Sequence, residues 1–308
     1  MQKVLRIGTR DSQLAVWQAT LVQNLLKETG INSELIFIKS EGDLDTITPL
    51  YALGVQGIFT KTLDAALLSK RIDIAVHSMK DVPTILAQGI QQAAVLERAS
   101  YKDIFVYKQS ASFLDDKESI ASIATSSIRR IAQWLNRYPH HTIENLRGNV
   151  NTRLRKVQEN NWGGAIFAAA GLERINVRPQ NSIDLDWMLP APAQGAIMIV
   201  CREDDTESLE ACKPFNNDHT ALCTKIERDF LRTLMGGCST PISALAEVKN
   251  NTVVFKGNIC SPNGKTTTGI EEELSLEHAS TSGVRLANQL LNQPSAAKIV
   301  QDIRYAKN

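Results

Sequence analysis

The stretch VLRIGTRDSQLAVWQATLVQNLLKETG, residues 4–30, sets the reading of the chain. Val4–Gly8 has the length and apolar character of a short buried strand. Asp11 or Ser12 then stands where a helix N-cap belongs. Leu14, Trp17, Leu21 and Leu25 recur at helical spacing and Gly30 is a natural stop, so a helix is expected to about Thr29. Glu34–Ile38 reads as the next strand, Phe59–Ser69 as a helix and Ile72–His77 as an alternating strand. Strand and helix in alternation imply a parallel sheet with crossover helices.

The same style returns further on. Ile120–Thr125, Thr142–Leu146 and Ala165–Ala169 read as strands, and Ser127–Tyr138 and Val150–Glu159 as helices. That is a second α/β region, from about 103 to 190. Leu189–Ala196, with Pro190 and Pro192, reads as a crossover, and Gly195–Cys201 as a strand whose sheet periodicity does not assign. The last ninety or so residues change character. Asp218–Met235 is one amphipathic helix ended by Gly236-Gly237. Strands at about 242–248 and 252–260 meet at Lys249-Asn250-Asn251, and Ser261-Pro262-Asn263-Gly264 signals a turn. A third strand and helices at about 280–292 and 295–305 complete a small α+β domain.

The chain has 308 residues, enough for two or three domains. Its 34 basic residues face 33 acidic ones, so a polyanionic partner such as bulk nucleic acid is not expected. Five cysteines, none in a Cys-x-x-Cys pair, give no disulfide framework and no structural metal site. The N-terminus lacks the apolar run of a signal peptide and no stretch is long enough to cross a membrane, so a cytoplasmic protein with no membrane partner is expected.

Two strand-to-helix junctions combine hydroxyls with arginine: Thr9-Arg10-Asp11-Ser12 and Thr125-Ser126-Ser127-Ile128-Arg129-Arg130. A third, Ala170-Gly171-Leu172-Glu173-Arg174, has the arginine alone. Open N–H groups at a helix start attract anions, and a guanidinium fork grips carboxylate or phosphate. Ordinary N-capping with exposed arginines is the plain alternative. Thr125–Lys156 sets Arg129, Arg130, Arg137, Arg147, Arg153, Arg155 and Lys156 against Glu144 alone, a local net of +6. Six arginines to one lysine favour planar anions, with a solvated helix face as the alternative. A nucleic-acid surface would want more aromatics than Trp134, Tyr138 and Trp162.

His77-Ser78-Met79-Lys80-Asp81-Val82-Pro83 closes a strand, where α/β sheets place their sites. Asp81 beside Lys80 suits acid–base work or stabilisation of a cation; the alternative is a capped turn before Pro83. His77 reads equally as a core residue. Gly236-Gly237-Cys238-Ser239-Thr240-Pro241 sets a thiol in a glycine-rich loop, either a nucleophile or attachment point or an incidental small residue.

These segments, with Leu146-Arg147-Gly148-Asn149-Val150-Asn151-Thr152-Arg153 and Gln194-Gly195-Ala196, resemble in order the porphobilinogen deaminase (hydroxymethylbilane synthase) family across essentially the whole chain. The resemblance implies two α/β domains like those of periplasmic binding proteins, flanking a cleft, and a small C-terminal α+β domain. The boundaries it suggests are 1–98 with 196–214, 103–190, and 217–308. It implies a dipyrromethane cofactor bound through a thioether to Cys238. The implied reaction joins four porphobilinogen molecules, releases ammonia each time, and ends in hydrolysis to linear hydroxymethylbilane. Each ring carries an acetate and a propionate, which would explain an arginine-rich site in a nearly neutral protein. By the same resemblance Asp81 is the catalytic carboxylate. Arg10, Ser12, Ser78, Lys80, Thr125, Ser126, Ser127, Arg129, Arg130, Arg147, Arg153, Arg174 and Gln194 contact cofactor or substrate, and Phe59 packs on pyrrole rings. A monomer is implied. The sequence departs from the family at Tyr51–Gly57, where relatives often carry lysines and this chain has none.

Overall fold

The structure, a computed structural model, is described for residues 4–39, 60–234 and 240–305. Phe59, the lysine-free stretch Tyr51–Gly57, the Gly236-Gly237 stop and Cys238 lie outside those residues. The described residues fall into two compact units. One takes in the chain up to residue 99 and returns for 195–221; the other holds 100–194 and the chain from 222 on.

The first unit is built on a five-stranded sheet in the order β2-β1-β3-β10-β4. Its strands are β1 (Leu5–Thr9), β2 (Ser33–Phe37), β3 (Ile74–Ser78), β4 (Ile90–Val95) and β10 (Ile197–Arg202). β1 runs parallel to β2 and β3, as expected from the alternation of strand and helix. β10 is antiparallel to both β3 and β4, so the sheet is mixed and not wholly parallel. This is where the unassigned 195–201 strand belongs. An antiparallel neighbour needs no crossover helix, so a distant segment can be inserted between two strands.

The helix Gln13–Glu28 covers one face of this sheet, and Ser12 caps it by accepting from the Ala15 N–H at 3.4 Å. Its buried positions are Gln18, Ala19, Val22 and Leu26. The stripe expected from Leu14, Trp17, Leu21 and Leu25 is therefore displaced by one residue, and Trp17 is 36% exposed. Leu21 and Leu25 flank the core. The displacement follows from the strand surface, where small Ala19 and branched Val22 fit closer to Leu5, Ile7 and Ile74 than an indole can.

The second unit holds another five-stranded sheet, in the order β7-β6-β8-β5-β9. Its strands are β5 (Asp103–Tyr107), β6 (Ser122–Ala124), β7 (Thr142–Glu144), β8 (Gly164–Ala168) and β9 (Ser182–Asp184). β6 is parallel to β7 and β8, while β5 runs antiparallel between β8 and β9. Both sheets thus share one plan: three parallel strands, then one antiparallel strand, then an edge. The helices Ile128–Arg137 and Val150–Glu159 follow β6 and β7. Sequence periodicity anticipated these parallel strands and their helices but not β4, β5, β9 or the helix Thr206–Cys212.

The same unit contains an antiparallel meander of β11 (Ile242–Lys249), β12 (Thr252–Cys260) and β13 (Thr267–Ser275). Asn250 and Asn251 take φ of 47° and 65°, the double left-handed turn that asparagine tolerates and that suits the twist of a two-residue hairpin. Helices Asp218–Leu234, Ser282–Leu291 and Pro294–Tyr305 close over Phe230, Phe255, Leu286 and Ile299. The helix Ile128–Arg137 is fastened to this sheet. Gln133 Nε2 donates to Ser243 Oγ at 2.9 Å, and Asn136 Nδ2 donates to the Gly264 carbonyl at 2.7 Å.

Candidate active site

In the first unit, β1 and β3 are paired neighbours and their carboxyl ends lie side by side. Arg10 and Ser12 follow one end; Ser78, Lys80 and Asp81 follow the other. Gln18 Nε2 donates to Ser78 Oγ at 2.9 Å, linking the capped helix to the end of β3. Met79–Asp81 forms a single 3₁₀ turn that starts on buried Met79 and closes on half-buried Asp81. The Asp81 carboxylate has no hydrogen-bond or ion-pair partner among the described residues. His77 is buried, and its Nε2 has no hydrogen-bond partner among the described residues. Burial first, and then the charge of Arg10, lower its pKa to about 4, so the ring is neutral at pH 7.

In the second unit the three parallel strands each end on residues singled out in the sequence. β6 runs into Thr125-Ser126-Ser127, β7 into Arg147, and β8 through the short helix Ala169–Glu173 to Arg174. Ser126 joins the first two: its Oγ accepts from the Leu146 N–H and donates to the Leu146 carbonyl, both at 2.8 Å, and it also meets Asn145. Ser127 is the N-cap of Ile128–Arg137, yet its side chain makes no capping bond. Buried Thr125 Oγ1 accepts from the Ser127 N–H at 3.3 Å. Simple capping therefore accounts for Ser12 but not for Ser127.

Arg129 and Arg130 are buried, 4% and 6% exposed, which rules out the solvated helix face. Both turn to Asp103, the fully buried first residue of β5. Arg130 donates from Nε and Nη2 to Asp103 Oδ1 at 3.0 and 2.7 Å, and from Nη1 to the Ile166 carbonyl at 2.9 Å. Arg129 Nη1 lies 2.7 Å from Asp103 Oδ2, an ion pair outside hydrogen-bond angles, and donates to the Leu189 carbonyl at 2.8 Å. Gln194 Nε2 donates to the same Asp103 Oδ1 at 2.9 Å and to the Tyr101 carbonyl at 2.7 Å. Burial opposes ionisation of Asp103, but the two guanidinium groups outweigh it and hold the carboxyl below the usual range.

Other cations of the basic segment find partners both inside and outside it. Arg137 stacks on Trp187 with 4.9 Å to the ring centroid, and Arg155 pairs with Glu159. Arg153 Nε donates to the Gly148 carbonyl at 2.7 Å and Lys156 Nζ to the Arg147 carbonyl at 3.1 Å, so both brace the loop before their own helix. Burial lowers the Arg174 pKa to about 10, which leaves it charged at pH 7. The segment's count of one acid missed Asp103 because that residue lies on a strand the pattern did not reveal.

The residues present suit carboxylate groups. Two buried guanidinium groups share one buried carboxylate at the start of a helix, so the cluster holds a net positive charge. Arg129 Nε is buried with no hydrogen-bond partner among the described residues. Burying an unbalanced charge is costly unless a counter-ion joins it. No group of acids, histidines and cysteines suited to a metal occurs among the described residues. The four described cysteines, 201, 212, 223 and 260, are buried. Burial lifts the thiol of Cys201 to about 11 and that of Cys212 to about 12, and raises that of Cys260.

Fold and site together define a class: an α/β protein of two mixed sheets, each with polar and basic residues at the carboxyl ends of its parallel strands, plus a small α+β domain. A family profile described as "Porphobilinogen deaminase, dipyromethane cofactor binding domain" matches residues 5–210, and one described as "Porphobilinogen deaminase, C-terminal domain" matches 221–292. A porphobilinogen deaminase of Carboxydothermus hydrogenoformans is 40% identical over 312 residues, covering all of both chains. One of Acidithiobacillus ferrooxidans is 40% identical, covering 99% of this chain and 100% of its own. The chain belongs to the porphobilinogen deaminase family, transferases of tetrapyrrole biosynthesis that work with a dipyrromethane cofactor. Among solved structures, the Bordetella pertussis BvgS VFT2 domain aligns at 14% identity and a TM-score of 0.42, covering 71% of this chain and 90% of that one, too distant to add to the topology above.

Proposed function

We propose that the chain condenses four porphobilinogen molecules head to tail and releases hydroxymethylbilane, with Asp81 as the catalytic carboxylate and Cys238 as the point of cofactor attachment. The observation that carries this reading is the buried Arg129–Arg130 pair, which shares one carboxylate and keeps an excess positive charge at a helix start. Bound dipyrromethane supplies the nucleophilic pyrrole carbon for the first condensation. The chain's own residues do the rest. Arg129, Arg130, Arg147, Arg153 and Arg174 lie around the ends of β6, β7 and β8 and suit acetate and propionate groups, with Thr125 and Ser127 adding hydroxyls. Arg10, Ser12, Ser78 and Lys80 do the same around β1 and β3.

Asp81 accepts from pyrrole N–H groups in this reading and faces the positive charge that grows on the substrate as ammonia leaves. At ~4 Å such a pair is worth roughly 4 kcal/mol at an effective dielectric of 20. Having no partner among the described residues, the carboxylate is available for that role. The described thiols are buried, and burial lifts those of Cys201 and Cys212 to about 11 and about 12, which supports Cys238 as the reactive one, since the thiolate is the nucleophile. We take 217–308 as a third domain and the protein as a cytoplasmic monomer; among the described residues no helix is long and apolar enough to cross a membrane. Phe59 keeps the role of an aromatic platform in this proposal.

The test is the intact mass of the denatured protein before and after incubation with porphobilinogen, beside Cys238→Ser. Added mass of two pyrrole units in the native chain but not in the variant, with ammonia released on turnover, is the expected result. A bare mass throughout and no ammonia would refute the reading.

A further inference from the structure

We propose that Asp103 is a positioning residue of this reaction, its carboxylate fixing the direction in which Arg129 and Arg130 meet the anionic groups of the substrate; the inference rests on the site reading above. Asp103 opens β5, the antiparallel strand, and pairs in register with Ala168, the last residue of β8. An antiparallel strand starts where its parallel neighbours finish. Its first side chain is thereby delivered to the carboxyl ends of β6 and β8, among the site residues.

Three residues taken as ligand contacts converge on this one carboxylate. Arg130 gives it two N–H groups, Gln194 one, and Arg129 an ion pair at 2.7 Å. The orientation this imposes on Arg129 is not the one that serves the fold best. Its Nη1 is engaged, while Nε stays buried with no acceptor among the described residues. A buried donor without an acceptor is a cost, and such costs persist where an orientation is needed for something else. A carboxylate held ionised between two cations is also a stiff support, because neither partner can rotate without losing it.

The first unit contains another buried carboxylate shared by two arginines, with the opposite placement. Asp73, 1% exposed at its side chain, takes Arg6 at 2.8 Å and Arg202 at 3.4 Å. It precedes β3, and its partners lie at the start of β1 and the end of β10, so this cluster sits at the amino ends of the parallel strands. Arg202 also pairs with Asp205, and the Arg6 side chain is about a third exposed, so this cluster balances its charges where that of Asp103 does not. Asp73→Asn therefore serves as a control for the structural effect of neutralising a buried, arginine-paired carboxylate away from the site residues.

The experiment compares full-length Asp103→Asn, Asp103→Glu and Asp73→Asn with the native chain. It measures urea unfolding, ammonia release per folded molecule, and the rate at which the bare chain gains mass from porphobilinogen. Both asparagine variants are expected to unfold at lower urea. Asp103→Asn alone is expected to lose on the order of 100-fold in kcat/KM and to slow in mass gain, as misplaced binding groups do. Asp103→Glu, which keeps the charge, recovers part of this and loses about tenfold; Asp73→Asn stays within about twofold. Adding Arg130→Lys to Asp103→Asn costs little more, because the two act as a unit. Equal kinetic losses at Asp73 and Asp103, or an Asp103→Asn chain within about twofold of native per folded molecule, would overturn the proposal. If Asp103→Asn does not fold, native kcat/KM in folded Asp103→Glu overturns it equally. A native chain that releases no ammonia refutes the site reading instead.

Discussion

Gly264→Ala tests how the C-terminal sheet is seated on the helix that presents Arg129 and Arg130. Gly264 sits in the β12–β13 turn at φ 72°, a left-handed conformation that costs an alanine about 1 kcal/mol. A Cβ there would stand 2.6 Å from the Ala132 carbonyl oxygen, 2.7 Å from the Asn136 nitrogen and 2.9 Å from Leu135 Cβ. Two of these atoms are helix backbone and cannot rotate away, so the turn must withdraw at an overpacking cost of about 1–3 kcal/mol. Withdrawal also stretches the 2.7 Å bond from Asn136 Nδ2 to the Gly264 carbonyl, worth about 1 kcal/mol. The sum is about 3–5 kcal/mol of unfolding free energy, read by urea titration with the m-value checked for constancy. Gly264→Asn separates the two causes, since asparagine tolerates the left-handed turn but still carries a Cβ. A loss below about 1 kcal/mol in the alanine variant would show that the close approach is not present in solution.

Other outcomes follow from the same geometry. Asp81→Asn is expected to leave urea unfolding unchanged, because the carboxylate has no partner among the described residues, while turnover falls to a trace; near-native ammonia release would remove Asp81 from the chemistry. Ser126→Ala leaves the Leu146 N–H without its 2.8 Å acceptor and is expected to cost about 1–3 kcal/mol, with an unchanged midpoint counting against the junction described. The pH dependence carries two opposed slopes. His77, with a folded pKa of about 4, takes up its proton more readily when unfolded, so its contribution is complete above about 6.5 and lost as pH falls to 4. Asp64 is raised by burial to about 6, so the folded chain binds the extra proton and its contribution fades as pH rises from about 4 to 6. Between pH 4 and 6 the two largely cancel. Asp64→Asn is therefore expected to expose a loss of up to about 3 kcal/mol from pH 7 to 4, and adding His77→Gln should flatten it; a flat profile in Asp64→Asn alone would contradict the burial of His77.

Much of the architecture was legible because it is local. The Ser12 cap, the 150–159 helix and the Lys249–Asn251 turn depend on residues within a few positions of one another, and the structure places all three where the sequence reading did. The motif residues, too, could be assigned to strand ends from their immediate neighbours. Tertiary structure decided what is non-local. Periodicity shows that Ile197–Arg202 is buried but not that it runs antiparallel between β3 and β4, because sheet membership is a hydrogen-bonding choice among distant segments. It shows that the helix Gln13–Glu28 is amphipathic but not that its inward face begins one residue past Trp17, which the strand side chains beneath it set. It shows six arginines within thirty-two residues, but not that Arg129 and Arg130 share Asp103, more than twenty positions upstream. A charge acts through space with a strength set by distance and burial, and only the folded chain defines either.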